Sequence, residues 1–277
     1  MSEIFFHDIN FWTGENNLSG KYSVADDKLP GILEERVKKY GILSTTITHF
    51  NSFFYSPASG NEMLSDLLIR LDAQKTGEGQ KAEHKFYGAM LLEHESVHRS
   101  ESFKKTLINR YRQGFRLIRL FPKTHKYPYS AGLMKDIYGV LDDLCFPVMI
   151  NLDEIDITGD KCIEWEKLLE IADKFKNIPL IVDGGDAKEL MFNSYFFMLL
   201  KNSTNIFLST HNLFGTNQIE DLVSVSGAGR LLFDSYFPFY EPYISAERIL
   251  VSGLPDESKR MIAFQNIEKI YSGIKIR

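Results

Sequence analysis

The sequence is poor in cysteine, contains no long hydrophobic run and carries no excess of positive charge. Its 277 residues include only Cys145 and Cys162, whose spacing fits neither a metal-ligand motif nor a disulfide framework. They indicate inert thiols in a reducing compartment. No segment approaches the roughly 18 apolar residues of a membrane span, and no signal-peptide pattern begins the chain. The sequence therefore predicts a cytoplasmic protein that does not bind a membrane.

Several ligand-binding signals are also absent. The net charge of -5 argues against nucleic-acid binding, which usually requires a basic surface. The sequence has no phosphate-binding glycine loop of the recognised kinds and no G-x-S-x-G nucleophile turn. Gly184-Gly185, which follows an apolar run, is only a weak signal for an anion site. These absences argue against the common nucleotide-binding and serine-hydrolase motifs and favour a small-molecule ligand.

The sequence does contain a regular alternation of apolar and amphipathic segments. Hydrophobic residues make up 44% of the chain, which is enough for a large buried core. Eight segments have strand character: residues 4–14, 42–48, 86–92, 115–122, 147–152, 179–183, 205–210 and 230–234. Their alternation with helical patterns, without a linker or a change in composition, favours a single (β/α)₈ TIM barrel over a doubly wound sheet. We therefore predict one TIM-barrel domain spanning residues 1–277.

Polar residues gather where the predicted strands end. In a TIM barrel these C-terminal ends, and the loops after them, carry the chemistry. The candidates for catalysis are Asp8, Asp183, His211 and Asp234. The candidates for substrate binding are Asn10, Trp12, His49, Arg119, Lys123, His125, Asn151 and Tyr236. For Lys123 and His125 a solvated loop explains the sequence equally well, and for His211 so does a simple hydrogen-bonded role.

The first predicted strand carries three of these candidates, Asp8, Asn10 and Trp12. Residues two apart in a strand point to the same side of the sheet. We therefore expect all three side chains to face the interior of the barrel.

Arg119 is a charged residue within the fourth predicted strand, with Leu117 and Phe121 on its own side. A buried cation is costly unless it is paired. We therefore expect Arg119 to form an ion pair, with Asp8 or Asp183, or to bind an anionic ligand.

The expected inward positions do not look like a zinc site. A catalytic Zn²⁺ usually requires about three His or carboxylate ligands that converge on one point. The inward residues instead supply amide and aromatic groups, which are poor zinc ligands: Asn10, Trp12, Asn151 and Tyr236. We therefore expect no tightly bound metal and no other cofactor. The alternative ligand set comprises His7, Asp183, His211 and Asp234.

Several segments, taken in order, have the frames of one family. Residues 8–14 read DINFWTG, which matches D-x-H-x-H-x-G with both histidines replaced. Residues 181–185 (IVDGG) and 233–238 (FDSYFP) are similar to the H-x-G-G and F-G-S-D-x-P segments of later strands. Weaker similarities lie at residues 114–122, 147–151 and 266–271. Together these segments resemble the amidohydrolase-related (amidohydrolase 2) family of TIM-barrel, metal-dependent hydrolases.

The resemblance implies both a fold and a kind of chemistry. Members of the family hydrolyse C–N or C–O bonds, or decarboxylate small acids, usually with a divalent metal that activates water. It also implies that the metal-ligand positions are substituted in this chain, by Asn10, Trp12, Asn151, Val182 or Asp183, and Tyr236.

Three hypotheses about function follow. The first is a hydrolase-like enzyme, or a related lyase, that acts on a small anionic molecule without a tightly bound metal. In it, Arg119 holds a carboxylate and the acidic residues or His211 supply acid–base chemistry. The second is a catalytically degenerate barrel that binds a small polar ligand. The third is a component of a homo-oligomer, with the aromatic loop at residues 237–240 as the cover of a pocket or as a subunit contact.

Overall fold

The computed structural model of the protein describes residues 4–17, 20–74, 84–154, 163–184 and 194–276. Cys162 and Gly185 lie outside these residues. The described chain forms one eight-stranded parallel sheet with the strand order β1 to β8. The sheet is nearly closed, because the Ile9 N–H donates to the Phe233 carbonyl across 3.4 Å. The predicted TIM barrel is confirmed, whereas the extent of the domain over residues 1–277 stays a prediction.

The strands are short and follow the predicted segments closely. They are β1 (Phe6–Thr13), β2 (Ile42–His49), β3 (Lys85–Leu91), β4 (Phe115–Leu120), β5 (Val148–Asn151), β6 (Leu180–Asp183), β7 (Ile206–Ser209) and β8 (Leu231–Leu232).

The helices of the described chain lie between and after these strands. They are α1 (Leu29–Tyr40), α2 (Phe50–Phe54), α3 (Pro57–Gln74), α4 (His94–His98), α5 (Ser100–Arg112), α6 (Lys135–Asp143), α7 (Trp165–Lys174), α8 (Ser194–Asn202), α9 (Gln218–Ser226), α10 (Pro242–Val251), α11 (Asp256–Arg260) and α12 (Asn266–Ser272). A π-helical segment, Met261–Gln265, separates α11 from α12. Within the described residues, no helix combines the length and hydrophobicity that a membrane span requires.

Helix α1 shows how the local sequence sets the ends of an element. Pro30 lies in its first turn, where the missing N–H costs no hydrogen bond. Gly41 ends the helix with a φ of 66°, and its N–H donates to the carbonyls of Arg36 and Val37. The helix therefore stops directly before β2 and holds Arg36 against the sheet, where that side chain is buried.

The core has two layers. The barrel interior is filled by one small cluster of apolar side chains from six of the strands and from α12: Ile9, Ala89, Leu117, Met149, Ile181, Leu232, Ile267, Ile270 and Tyr271. A larger layer packs between the sheet and the surrounding helices. Because apolar side chains fill the middle of the barrel and α12 covers its N-terminal end, polar side chains gather at the C-terminal ends of the strands.

A β-bulge in β1 changes the direction of one candidate side chain. The pairing with β2 shifts register between Asp8 and Phe11, which inserts one extra residue into β1. Ile9 and Asn10 therefore both face the interior, and Asp8 faces α1 instead. The expectation that Asp8, Asn10 and Trp12 share one side is wrong, because a bulge breaks the alternation of a regular strand.

Candidate functional site

Polar side chains from β1 and from β4 to β8 meet in one cluster at the C-terminal end of the barrel. Five of them are candidates from the sequence whose side chains make direct polar contacts: Asn10, Arg119, Asn151, Asp183 and Asp234. His211, which follows β7, joins them through Asp234. None of these residues is more than 2% exposed. The chain therefore buries several charges in a small space, and their pairing decides what the site can do.

Arg119 is the cation of this cluster. Its Nη2 lies 3.0 Å from Asp183 Oδ2, and its Nη1 donates to Asn10 Oδ1. The guanidinium carbon lies 4.6 Å from the centre of the Trp12 ring and 5.4 Å from that of Phe121. Burial lowers the pKa of Arg119, and the charge of Asp183 opposes this effect. Arg119 thus forms the buried ion pair expected from its sequence, with Asp183 rather than Asp8.

Asp183 is held by three donors on a single oxygen. Its Oδ2 accepts hydrogen bonds from Arg119 Nη2, Asn10 Nδ2 and Asn151 Nδ2, each at 3.0 Å. Its Oδ1 lies on the other side, 3.7 Å from His211 Nδ1. The carboxylate is therefore oriented by its neighbours, with one oxygen turned to His211.

His211 lies between two carboxylates. Its Nδ1 is 2.7 Å from Asp234 Oδ2, and its backbone N–H donates to Asp234 Oδ1, also at 2.7 Å. The imidazole stacks on Tyr236, with 4.5 Å between the ring centres. One potential ligand atom from each of Asp183, His211 and Asp234 lies within 4.8 Å of the others. The ends of β6 and β7 and the segment after β8 thus bring together three groups able to bind a metal.

The donor set and the charge of this cluster fit a divalent cation. Carboxylate oxygens and a histidine nitrogen are ligands of Mn²⁺ and of similar ions. With His211 counted as neutral, two carboxylates and one arginine leave a buried net charge of about -1, which a divalent ion would reverse. Asn151 adds a further oxygen, because its buried Oδ1 makes no hydrogen bond with any described residue.

The expectation of a site without a metal is therefore wrong. It rested on the substituted positions, but the candidate ligands come from β6, β7 and β8 together. Of the alternative set named from the sequence, Asp183, His211 and Asp234 meet here. His7 does not, because it lies lower in the barrel and bonds to Glu268 and Thr46. The structure also does not show that a metal site has been lost.

Asp8 lies outside the cluster. Its Oδ2 accepts from Arg36 Nη2 of α1 and from the hydroxyl of Ser235, and its Oδ1 accepts from the Ser235 N–H at 2.9 Å. The Arg36 guanidinium lies over the Phe11 and Phe237 rings. Asp8 therefore connects β1 to α1 and to the chain after β8. Because of the bulge in β1, its side chain does not face the interior, although the sequence predicted that it would.

Three further candidates lie away from the cluster. Lys123 pairs with Glu164 at 3.5 Å, and its backbone N–H donates to the buried Glu154. His125 Nε2 contacts the Phe53 carbonyl at 3.0 Å. His49 lies at the end of β2 and faces a separate cavity.

Two residues that sequence reasoning missed are Arg36 and Asp26. Arg36 is a buried charge on an amphipathic helix. Its position on the same helix face as the buried Leu29 and Leu33 was the signal in the sequence that could have indicated its burial. Asp26 lies in a polar loop and contacts His49 at 3.4 Å. Nothing in the sequence distinguishes it from Asp27 beside it.

Comparison with known proteins identifies the fold. No protein-family profile matches the sequence, and no curated protein matches it. Among solved structures, a 5-carboxyvanillate decarboxylase from Novosphingobium aromaticivorans, crystallised with manganese and 4-hydroxy-3-methoxy-5-nitrobenzoic acid, aligns with a TM-score of 0.70 and 12% identity. The alignment covers 97% of this chain and 96% of the decarboxylase.

Two other structures agree. A 2,6-dihydroxybenzoate decarboxylase from Rhizobium aligns with a TM-score of 0.65 and 13% identity, over 98% of this chain and 99% of its own. A dihydroxybenzoic acid decarboxylase from Polaromonas sp. JS666, with bound manganese and 2-nitroresorcinol, aligns with a TM-score of 0.65 and 14% identity, over 97% of each chain. The resemblance predicted from the sequence is thus confirmed at the level of the fold. The bound manganese in two of these structures agrees with the correction of the metal-free expectation.

Proposed function

We propose that this chain, a TIM barrel with the fold of the manganese-containing decarboxylases, is a divalent-metal enzyme acting on a small carboxylic acid. The reaction favoured is loss of the carboxyl group as CO₂, and hydrolysis of a C–O or C–N bond is the alternative reaction. The observation that carries the proposal is the buried group of Asp183, His211 and Asp234 at the C-terminal end of the barrel.

The ligand roles follow from the contacts. Asp183 Oδ1, His211 and Asp234 would hold the ion, and the buried Asn151 Oδ1, which makes no hydrogen bond with any described residue, is a further candidate oxygen ligand. When bound, the ion would act as a Lewis acid towards an oxygen of the substrate or of water. Arg119 and Asn10 keep Asp183 in its orientation through its other oxygen, so the ligand geometry is set before the ion binds.

The charge of the cluster supports an anionic substrate. With a divalent ion, the net charge of Asp183, Asp234 and Arg119 becomes about +1, which favours a monoanion such as a carboxylate. Aromatic side chains surround the charges and exclude water from them: Trp12, Phe50, Phe53, Phe121, Tyr236 and Phe239. In such a dry site the attraction between charges is strong.

A second candidate function is ligand binding without catalysis. The observation that favours it is the saturation of Asp183 Oδ2 by three donors, which leaves that oxygen no free capacity for a substrate. In this case the barrel would bind a small polar ligand and leave it unchanged. A homo-oligomer and a single domain over residues 1–277 also stay predictions.

The test is an assay of the purified protein with and without added Mn²⁺ against hydroxylated benzoates and simple carboxylate esters and amides. We expect Mn²⁺-dependent release of CO₂ from at least one benzoate, and its loss in Asp234→Asn. Hydrolysis of an ester or amide in place of CO₂ release would select the alternative reaction. Binding of a benzoate with no turnover, in the presence of metal, would favour the second function.

A further inference from the structure

Ser209, the last residue of β7, lies at the same end of the barrel as the candidate metal ligands. Two residues earlier, Phe207 packs against the apolar cluster that fills the barrel interior, whereas Leu208 belongs to the outer layer of the core. Because side chains alternate along a regular strand, Ser209 also faces the interior. The serine therefore stands among the polar side chains of the site.

The pairing of the strands places Ser209 beside Asp183. On one side, Leu208 pairs with Val182 of β6, so the next residues of these two strands, Ser209 and Asp183, lie level with each other. On the other side, Ser209 pairs with Leu232 of β8, two residues before the second carboxylate of the site. The serine therefore lies between the two chain segments that carry the carboxylates.

The hydroxyl of Ser209 is an unsatisfied polar group in the protein interior. The residue is 3% exposed, and its Oγ makes no hydrogen bond with any described residue. A buried hydroxyl without a partner costs stability, and a bound ion is one reason for a protein to retain it. Asn151, which pairs with Asp183 from the other side, has an unsatisfied Oδ1 of the same kind. Two neutral oxygens therefore flank the strand that carries Asp183.

A divalent ion in this cluster needs more ligands than the three titratable groups supply. Ions such as Mn²⁺ and Mg²⁺ prefer about six ligands, mainly oxygen atoms, in octahedral geometry. Asp183, His211 and Asp234 offer one ligand atom each. A serine hydroxyl binds such ions through an oxygen lone pair, as in the Mg²⁺ site of P-loop enzymes. It adds a ligand without adding negative charge to a site where charge is already buried.

We propose that Ser209 Oγ is a further ligand of the divalent ion. The inference rests on the proposed function, because it requires the ion that Asp183, His211 and Asp234 would hold. Without the ion the hydroxyl has no hydrogen bond to a described residue, and with the ion it gains a partner. Ser209 therefore contributes to metal affinity and adds nothing to the stability of the metal-free fold.

Two substitutions of Ser209 test this proposal by equilibrium dialysis of the chelator-treated full chain against Mn²⁺ and against Cd²⁺. Ser209→Ala removes the oxygen, and we expect it to lower Mn²⁺ affinity at least about tenfold. Ser209→Cys replaces the oxygen by sulfur, a soft ligand that favours Cd²⁺ over Mn²⁺. The ratio of Cd²⁺ affinity to Mn²⁺ affinity should therefore rise in Ser209→Cys, which a purely structural role would not cause. Unchanged Mn²⁺ affinity in Ser209→Ala, or an unchanged ratio in Ser209→Cys, would overturn the proposal.

Thr210→Val is the matched control for the loss of a buried hydroxyl. Thr210 is 2% exposed, and its Oγ1 also makes no hydrogen bond with any described residue. It is the next residue along the chain, so the alternation of side chains turns it away from the site. We expect Thr210→Val to keep the wild-type affinities for both ions. An equal loss of Mn²⁺ affinity in Thr210→Val and Ser209→Ala would contradict the proposal.

Urea unfolding without metal supplies a second measurement. Ser209→Ala should not lower the midpoint, because its hydroxyl has no partner to lose. A lower midpoint would show that the hydroxyl supports the fold, and the proposal would be wrong. Mn²⁺ binding that is equal in the wild type and in Ser209→Ala overturns this inference alone, whereas a wild type that binds no Mn²⁺ overturns the proposed function as well.

Discussion

Arg119 shows at the residue scale what the cost of a buried charge can predict. A strand position between Leu117 and Phe121 required a partner for the guanidinium, and Asp183 supplies it at 3.0 Å. Elementary electrostatics was enough to predict the pair, but it left two carboxylates as alternatives. The bulge turns Asp8 towards Arg36, so only Asp183 is left to pair with Arg119. No residue type in residues 8–11 predicts a bulge.

Replacement of Arg119 by Met is the first prediction. It keeps most of the side-chain volume and leaves Asp183 without its cation, so we expect a loss of about 3–5 kcal/mol in the free energy of unfolding without metal. Mn²⁺ should restore part of that loss, because the ion can neutralise the same carboxylate. Urea unfolding with and without Mn²⁺ measures both effects. Arg116→Met, at a half-buried position of the same strand, should cost about 1 kcal/mol and give no metal-dependent recovery. Equal effects in the two variants would refute the role of Arg119.

The second prediction separates Asp8 from Asp234. Both carboxylates are fully buried, but only Asp234 contacts His211. Asp8→Asn leaves Arg36 buried without its charge partner, so we expect a loss of stability of about 3–5 kcal/mol with unchanged Mn²⁺ affinity. Asp234→Asn should lower Mn²⁺ affinity at least about tenfold. Calorimetric titration and thermal unfolding of both variants make the comparison, with the exposed Asp66→Asn as the control. Weakened Mn²⁺ binding in Asp8→Asn would contradict the placement of Asp8 outside the cluster.

At the scale of elements, α12 and β1 meet at the opposite end of the barrel. His7 of β1 bonds to Glu268 of α12 at 2.9 Å through Nδ1 and to Thr46 of β2 at 3.0 Å through Nε2. The Tyr271 hydroxyl completes the network at 2.8 Å from Thr46. His7 appeared in the sequence as a possible metal ligand, yet its contacts make it a connection between strand and helix. No pattern in the sequence shows which residue of β1 contacts α12.

The third prediction concerns this connection. The hydrogen bond from His7 lowers the pKa of the half-buried Glu268, and burial opposes this effect. A carboxyl group whose pKa is lower in the folded protein stabilises the fold at pH values above its unfolded pKa. This stabilisation is lost as the pH falls through the lower, folded pKa. Glu268→Gln should therefore cost about 1 kcal/mol at neutral pH, after discounting for solvent screening. The difference between the two proteins should shrink below about pH 4. Urea unfolding across this pH range checks the sign, with the exposed Glu257→Gln as control. A difference that grows on acidification would contradict the assignment.

On the scale of the whole molecule, the order of strands was predictable because each apolar segment is bounded by a turn signal. The site was predictable only in part. Asp183, His211 and Asp234 stand at strand ends, which made them candidates, but their convergence depends on how β6, β7 and β8 are placed around the barrel. The family's ligand positions argued against a metal, whereas the alternative set named from the sequence contains all three residues, together with His7, which lies elsewhere. Asp26, which contacts His49, is marked by no sequence pattern.

The central claim is that Asp183, His211 and Asp234 hold a divalent cation. The most direct measurement is equilibrium dialysis of the chelator-treated protein against Mn²⁺, with Asp234→Asn and Asp66→Asn alongside. We predict about one Mn²⁺ per chain in the wild type and in Asp66→Asn, and at least tenfold weaker binding in Asp234→Asn. No Mn²⁺ bound by the wild type, or equal binding by all three proteins, would contradict the claim.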